Sequence, residues 1–161
     1  MRVPQTGGCQ CGRLRYEIAQ APHMIYTCHC TNCQRFTSSA FSIAMVVNVQ
    51  AFRLMGVEPR AMLHTADSGR NVTRWVCPEC GSWICSGAKP GSSANPNVFY
   101  NVRAGTLDDT SWLCPTAHFW TRNKQPWITL PDEQSQIFET QPDDVFGFFN
   151  SMVVNARNAT R

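Results

Sequence analysis

Residues 72–85 read Val72-Thr73-Arg74-Trp75-Val76-Cys77-Pro78-Glu79-Cys80-Gly81-Ser82-Trp83-Ile84-Cys85, and this stretch decides the fold. A β-branched and aromatic run enters a Cys-x-x-Cys turn, and a second such run leaves it. Two thiols on one tight turn supply half of a tetrahedral zinc site, whose ligands lie about 2.0–2.3 Å from the ion. Gly81 offers the positive φ on which a knuckle of this kind closes. Towards the N-terminus, Cys9-Gln10-Cys11-Gly12 repeats the arrangement with a shorter spacer. The two pairs together predict a closed, structural, all-thiolate site from Cys9, Cys11, Cys77 and Cys80.

Between them, Cys28-His29-Cys30-Thr31-Asn32-Cys33 packs three thiols into six residues. A tripod from one loop does not close a tetrahedron, so the fourth position is left to water, a substrate thiol or a neighbouring side chain. Seven of the nine cysteines fall into these clusters and divide as four plus three, which predicts two zinc ions per chain, one structural and one catalytic-type. His29 is a weaker ligand candidate, because an extended segment turns its side chain away from those of Cys28 and Cys30. Its main reading is a hydrogen-bonding group of the loop. Cys85, two residues after Trp83, reads as core filler, and Cys114 as an incidental loop thiol.

A redox dithiol is the first competing fate and disulfides the next. Nine is an odd number, and a one-residue spacer makes a strained bridge. The start, MRVPQTGGCQCG, has no secretory apolar run, and no stretch approaches the roughly 20 apolar residues that span a bilayer. The expectation is a cytoplasmic protein without membrane association, in which clustered thiols bind metal. The glycosylation sequons at Asn71 and Asn158 then have no consequence.

The chain of 161 residues is read as a single zinc-binding domain, 1–161, with a core of about 7–127 and a C-terminal extension over 128–161. Its formal charge of +3 comes almost entirely from scattered arginines, since only Lys89 and Lys124 are lysines. That is no nucleic-acid footprint, which takes clustered Lys and Arg. Leu14, Tyr16 and Ile18 alternate with Arg15 and Glu17 as a half-buried strand. Further strands are expected at Met24–Thr27, Phe41–Val49, Phe52–Met55, Val72–Val76, Trp83–Cys85 and Val98–Val102. Gly87–Asn97 (GAKPGSSANPN) reads as an exposed loop. Asp143–Met152 is the one weak helix, capped by Asp143 or Asp144, and Asn155–Arg161 is expected to fray. The fold class is mainly β.

Four blocks carry a resemblance: GGCQCGRLRYE, CHCTNCQRFTSSAF, SGRNVTRWVCPECGSWI and AHFWTRNKQPW. In order and cysteine spacing they resemble the glutathione-dependent formaldehyde-activating enzyme family, which shares a zinc-binding domain with centromere protein V. The resemblance implies an Mss-four-like fold of several coiled antiparallel β-sheets around zinc sites. It also implies structural zinc on Cys9, Cys11, Cys77 and Cys80 and catalytic-type zinc on Cys28, Cys30 and Cys33. The implied activity is that of a carbon–sulfur lyase acting on glutathione–aldehyde adducts such as S-hydroxymethylglutathione, or on a related small thiol or aldehyde. Family members usually carry glycine about five residues after the third central cysteine, where this chain has Ser38. A side chain there is expected to narrow the space above the open metal position or add a hydroxyl to it.

Glutathione carries two carboxylates, so cationic partners are expected. Arg35, two residues past Cys33, leads, followed by Arg74 and Lys124. His118 is the candidate general acid or base, with a buried structural histidine as the competing reading. Trp120 and Trp127 are read as core-packing aromatics, with a pocket wall as the other reading. The alternative function class is a zinc-stabilised binding module without catalysis.

Overall fold

The computed structural model describes residues 2–93, 95, 98–131 and 135–159. In chain order the elements are β1 (Gln5–Gly8), β2 (Leu14–Ile18), β3 (Met24–Cys28), α1 (Thr31–Thr37), β4 (Ser42–Asn48), β5 (Phe52–Gly56), β6 (Arg60–Thr65), β7 (Asn71–Val76), β8 (Trp83–Ser86), β9 (Phe99–Arg103), β10 (Ala117–Phe119), β11 (Gln136–Ile137) and α2 (Val145–Ala159). The protein is mainly β, as its sequence pattern indicates, and has the character of an Mss-four-like fold. Two compact units are formed. The first is Met1–Pro22 with Met45–Leu113, and the second is His23–Ala44 with Cys114–Arg161. No helix among the described residues is long and apolar enough to cross a membrane.

In the first unit β1, β2 and β5 make an antiparallel sheet, with Gly7 and Leu54 on either side of Tyr16. The alternation along β2 puts Leu14, Tyr16 and Ile18 in the core at 0–1% exposure while Arg15 and Glu17 stay at the surface. Full burial of an aliphatic side chain such as Leu14 or Ile18 contributes about 1.5–3 kcal/mol. Tyr16 brings a hydroxyl inside as well, and it bonds Thr106 Oγ1 at 2.8 Å. The Tyr16 ring stacks on Phe52, which meets Tyr100 edge-on. A Cβ at Gly7 would collide with the Tyr16 ring and the Thr106 carbonyl, so the strand opposite the tyrosine needs glycine. Also in this unit, β6, β7, β8 and β9 follow one another in that order, each antiparallel to the next.

In the second unit β10 lies parallel to both β3 and β11. Those parallel pairs are an addition to the antiparallel sheets expected. Tyr26, Phe119, Phe138, Phe148 and Phe149 build its aromatic core, with successive ring centroids 4.7–6.0 Å apart. Asp144 starts α2 by accepting the Gly147 amide at 2.8 Å. The helix then continues to Ala159, past the Met152 limit expected and through residues 155–159 that were expected to fray. No proline or glycine interrupts 148–159, so nothing in the chain stops it earlier. Residues 160 and 161 of that expected frayed end, and 94, 96 and 97 of the expected loop, lie outside the described residues.

A second correction concerns Cys33. The segment read as a loop tripod contains α1, a helix of seven residues with Cys33 in its first turn. Cys30 is the N-cap, its sulfur accepting the Cys33 amide at 3.3 Å. Ser38 ends the helix in the left-handed region, at φ 51° and ψ 37°. That conformation costs an L-residue roughly 1–2 kcal/mol and favours glycine. The helix terminus thus favours glycine at this position, and Ser38 itself is exposed.

Candidate metal centres

The four-thiol centre lies within the first unit, where two knuckles meet. In one, the Gly12 amide donates to the Cys9 carbonyl at 3.0 Å. In the other, the Gly81 amide donates to the Cys77 carbonyl, also at 3.0 Å. Gly12 and Gly81 hold φ of 77° and 75°, with open space where a Cβ would stand, so backbone conformation alone demands glycine there. The sulfurs of Cys9, Cys11, Cys77 and Cys80 all lie within 4.8 Å of one another. Cys9 and Cys11 are 3.4 Å apart and Cys11 and Cys77 are 3.9 Å apart. Tetrahedral zinc with 2.3 Å bonds separates its sulfurs by about 3.8 Å, so the cluster fits the ion.

The protein supplies second partners to these sulfurs. The Leu14 amide donates to Cys9 Sγ at 3.2 Å, and the Ser82 hydroxyl lies 3.2 Å from Cys80 Sγ. Ser82 Oγ also accepts the Gln10 amide, which ties one knuckle to the other. The Ser82 hydroxyl, and after it the Ser82 amide, pull the Cys80 thiol down to about 5. Cys11 is pushed up to about 12, because Cys9 and burial outweigh the Arg13 amide that favours its thiolate. With protons alone the four sulfurs compete for negative charge. A divalent cation lets all of them ionise together.

The three-thiol centre lies within the second unit. Cys28 ends β3, Cys30 caps α1 and Cys33 sits in its first turn, with the sulfurs again within 4.8 Å of one another. Among the described residues no fourth His, Cys, Asp or Glu joins the group. Hydrogen bonding with Cys30 and then Cys33, followed by burial, raises the Cys28 thiol well above its ordinary value. This donor set also suits zinc, with one ligand fewer than a closed site takes.

His29 stands between two of these cysteines yet turns away from them. Its ring is fully buried against Phe41, at a centroid distance of 5.2 Å, and its Nε2 lies 3.0 Å from Thr27 Oγ1. The same hydroxyl lies 2.6 Å from His118 Nδ1, on the partner strand where His118 pairs with Thr27 and Phe119 with Cys28. Burial, then His118 and Lys124, lower His29 to about 4, and burial lowers His118 as well. Burial thus favours the neutral form of both rings. Their outer nitrogens, His29 Nδ1 and His118 Nε2, have no hydrogen-bond partner among the described residues. An orphaned buried polar atom costs about 1–3 kcal/mol.

The sequence profile of the family described as glutathione-dependent formaldehyde-activating enzyme matches residues 4–123. The chain belongs to this family. The family-level function is therefore glutathione-related activation of formaldehyde. No curated protein sequence matches significantly. Among solved structures, a Rhodobacter sphaeroides protein is similar at 20% identity and a TM-score of 0.47, over 68% of this chain and 91% of that one. That likeness is too weak to bear on fold or function.

In this family member the remaining candidates are dispersed. Arg35 is exposed, roughly 200° around α1 from buried Cys33. Arg74 is buried in the first unit, its guanidinium 4.8 Å from the centre of the Trp83 ring, and Arg103 approaches that ring at 3.9 Å. Lys124 is half-buried and donates to the Ile128 carbonyl at 2.6 Å. That bond closes a short loop with Trp127 at its tip. Trp127 is accordingly 71% exposed, against the core position expected, and its indole donates to Gln125 Oε1. Trp120 is buried as expected. Cys85 is in the core and Cys114 at the surface.

Two residues escaped the sequence reading. Thr27 lies two positions before His29, on the same face of an extended segment, which is a signal the sequence did contain. Gln34 donates to the His29 carbonyl at 2.7 Å and the Asn123 carbonyl at 2.8 Å, and accepts from Gln125. It ties the loop after β10 to the thiol-bearing segment, and nothing in its local sequence marks it.

Proposed function

We propose that the protein is a zinc-dependent carbon–sulfur lyase-like enzyme acting on glutathione–aldehyde adducts such as S-hydroxymethylglutathione, or on a related small thiol and aldehyde. The observation that carries this reading is the incomplete thiol set of Cys28, Cys30 and Cys33, beside a second centre with a complete set, in a chain of this family. Cys9, Cys11, Cys77 and Cys80 would hold a structural ion, and the three-thiol centre a second ion with an open coordination position. Zinc held there would supply a Lewis acid, lowering the pKa of a thiol and orienting it. Three thiolates already exceed its charge, so positioning by the protein carries more of the catalysis than polarisation does.

The chain's own residues do the rest. The Gln34 bonds to the His29 and Asn123 carbonyls fix the thiol-bearing loop against the loop after β10. His118 is the proton-transfer group, offering its outer Nε2. Of the cations expected to meet glutathione carboxylates, Arg35 and Lys124 belong to this unit; Arg35 is exposed, whereas Lys124 already gives two of its three N–H groups to carbonyls. In the synthetic direction the S–H bond breaks and its proton leaves, the freed sulfur pair forms the S–C bond, the carbonyl π pair moves to oxygen, and that oxygen takes a proton in exchange for the one lost from sulfur. Metal analysis of gel-filtered protein, followed by an S-hydroxymethylglutathione assay, tests this. About two zinc ions per chain and turnover are expected. About one zinc ion and no turnover favour a binding module instead.

A further inference from the structure

The proposed chemistry draws on one end of a buried polar cluster whose other members it leaves idle. Thr27, His29 and His118 are 4%, 0% and 4% exposed, and both histidines contact the one threonine hydroxyl. That hydroxyl has one proton to give and lone pairs with which to accept. When it donates to His118 Nδ1, His29 must offer it Nε2–H, and the proton of His118 is on Nε2. When it donates to His29 Nε2, His118 must offer Nδ1–H, and the proton of His29 is on Nδ1. In either order the two rings share one tautomer. A third order, with both rings donating, leaves the buried hydroxyl proton unpaired and is disfavoured for that reason.

The outer ends differ in sense. Of His29 Nδ1 and His118 Nε2, both buried and without a partner among the described residues, one is always a bare acceptor and the other an N–H donor. Each of these ends calls for a small hydrogen-bonding molecule such as a water. Going from the first order to the second takes a proton in at His29 Nδ1. The Nε2 proton of His29 passes to Thr27, the hydroxyl proton of Thr27 passes to His118 Nδ1, and the Nε2 proton of His118 leaves. Neither ring becomes charged, which its burial would oppose.

We propose that Thr27, His29 and His118 form a neutral proton relay, in which Thr27 is the positioning residue that locks the two imidazoles into one shared tautomer. Its use rests on the reaction proposed above. Thiol addition to an aldehyde moves one proton from sulfur to oxygen. His29 is buried and turned away from Cys28 and Cys30, so the thiol's proton is taken in at its Nδ1 through a water. The carbonyl oxygen takes the Nε2 proton of His118. Thiol plus aldehyde balances to the hemithioacetal, and before the next turnover the relay returns to its first order by taking a solvent proton at His118 Nε2 and releasing one at His29 Nδ1. The reverse reaction runs the relay backwards.

Long-range nitrogen–proton NMR of the full-length, nitrogen-15-labelled protein reads each imidazole tautomer directly. His29 and His118 are expected in the same tautomer. Thr27→Ser should keep them so, and Thr27→Val should separate them. Turnover of S-hydroxymethylglutathione should fall about tenfold or more in kcat for Thr27→Val, with KM little changed, and return in Thr27→Ser. Opposite tautomers in the parent protein overturn the relay, as does a folded Thr27→Val protein with unchanged tautomers and kcat. If Thr27→Val does not fold, the parent and serine spectra decide. Shared tautomers in a protein without turnover uphold the relay and overturn only the proposed reaction.

Discussion

The two thiol clusters use one residue type to opposite ends. Around Cys9, Cys11, Cys77 and Cys80, two glycine-closed knuckles face each other, and two segments 66 residues apart are drawn together at Cys11 and Cys77. Around Cys28, Cys30 and Cys33, one short segment supplies every thiol, and a strand end runs straight into a helix start. The first arrangement closes a long stretch of chain and gathers four thiols. The second closes almost no chain and gathers three. The comparison teaches that ligands of one residue type constrain the chain very differently according to how much of it they span.

The largest test breaks the first cluster. Cys77→Ser and Cys80→Ser are each expected to lose one zinc equivalent and the cooperative thermal transition. Structural zinc contributes an apparent 10–16 kcal/mol in small zinc domains, roughly the whole stability of a domain. Metal analysis with circular dichroism melting checks this, and a variant melting within a few degrees of the parent would dissolve the distinction. Cys33→Ala is the counterpart. It should keep the fold and the four-thiol ion, lose the other ion and lower turnover by about a hundredfold or more, since even outer partners of a metal cost 10–100-fold. A collapse of Cys33→Ala protein as deep as that of Cys80→Ser would make both centres structural.

A smaller effect separates the second unit from the first by pH. His29 is held at about 4 and His118 is lowered, both from an ordinary 6.5. Below about pH 6.5 the unfolded chain therefore binds more protons than the folded one. The stability contributed by the neutral pair is fully present above that pH and is lost as pH falls towards about 4. Guanidinium titrations at about pH 7, 6 and 5 should show a steeper loss in the parent than in the His29→Asn/His118→Asn double variant. Equal slopes would remove the pair from the acid limb.

The smallest expected change is at Ser38. Ser38→Gly relieves the left-handed terminus of α1 and should stabilise the protein by about 0.5–1 kcal/mol, read as a rise of a few degrees in Tm, with metal content unchanged. Unchanged turnover would assign Ser38 to the helix end. A changed KM would return it to the substrate site.

Much of the fold was legible because the relevant pattern is local. Leu14, Tyr16 and Ile18 alternate within one strand, and the Cys77–Gly81 turn declares itself between two β-rich runs. The missed elements lack such a signature. β1 is Gln-Thr-Gly-Gly, β6 has no buried residue, β10 and β11 are three and two residues long, and α1 carries no apolar period. Their places come from pairing partners elsewhere in the chain.

By itself the sequence determined the thiol clusters, their division into four and three, and the two knuckle glycines, because spacings of one to three residues and a required φ are properties of a short chain segment. Only the tertiary structure decided that Arg35 faces away from Cys33, that Trp127 stands exposed, and that His118 meets Thr27 across 91 residues of chain. Those outcomes depend on helix rotation, loop closure and strand register. A register shift of one residue would carry His118 to the other face of its strand and undo its contact with Thr27.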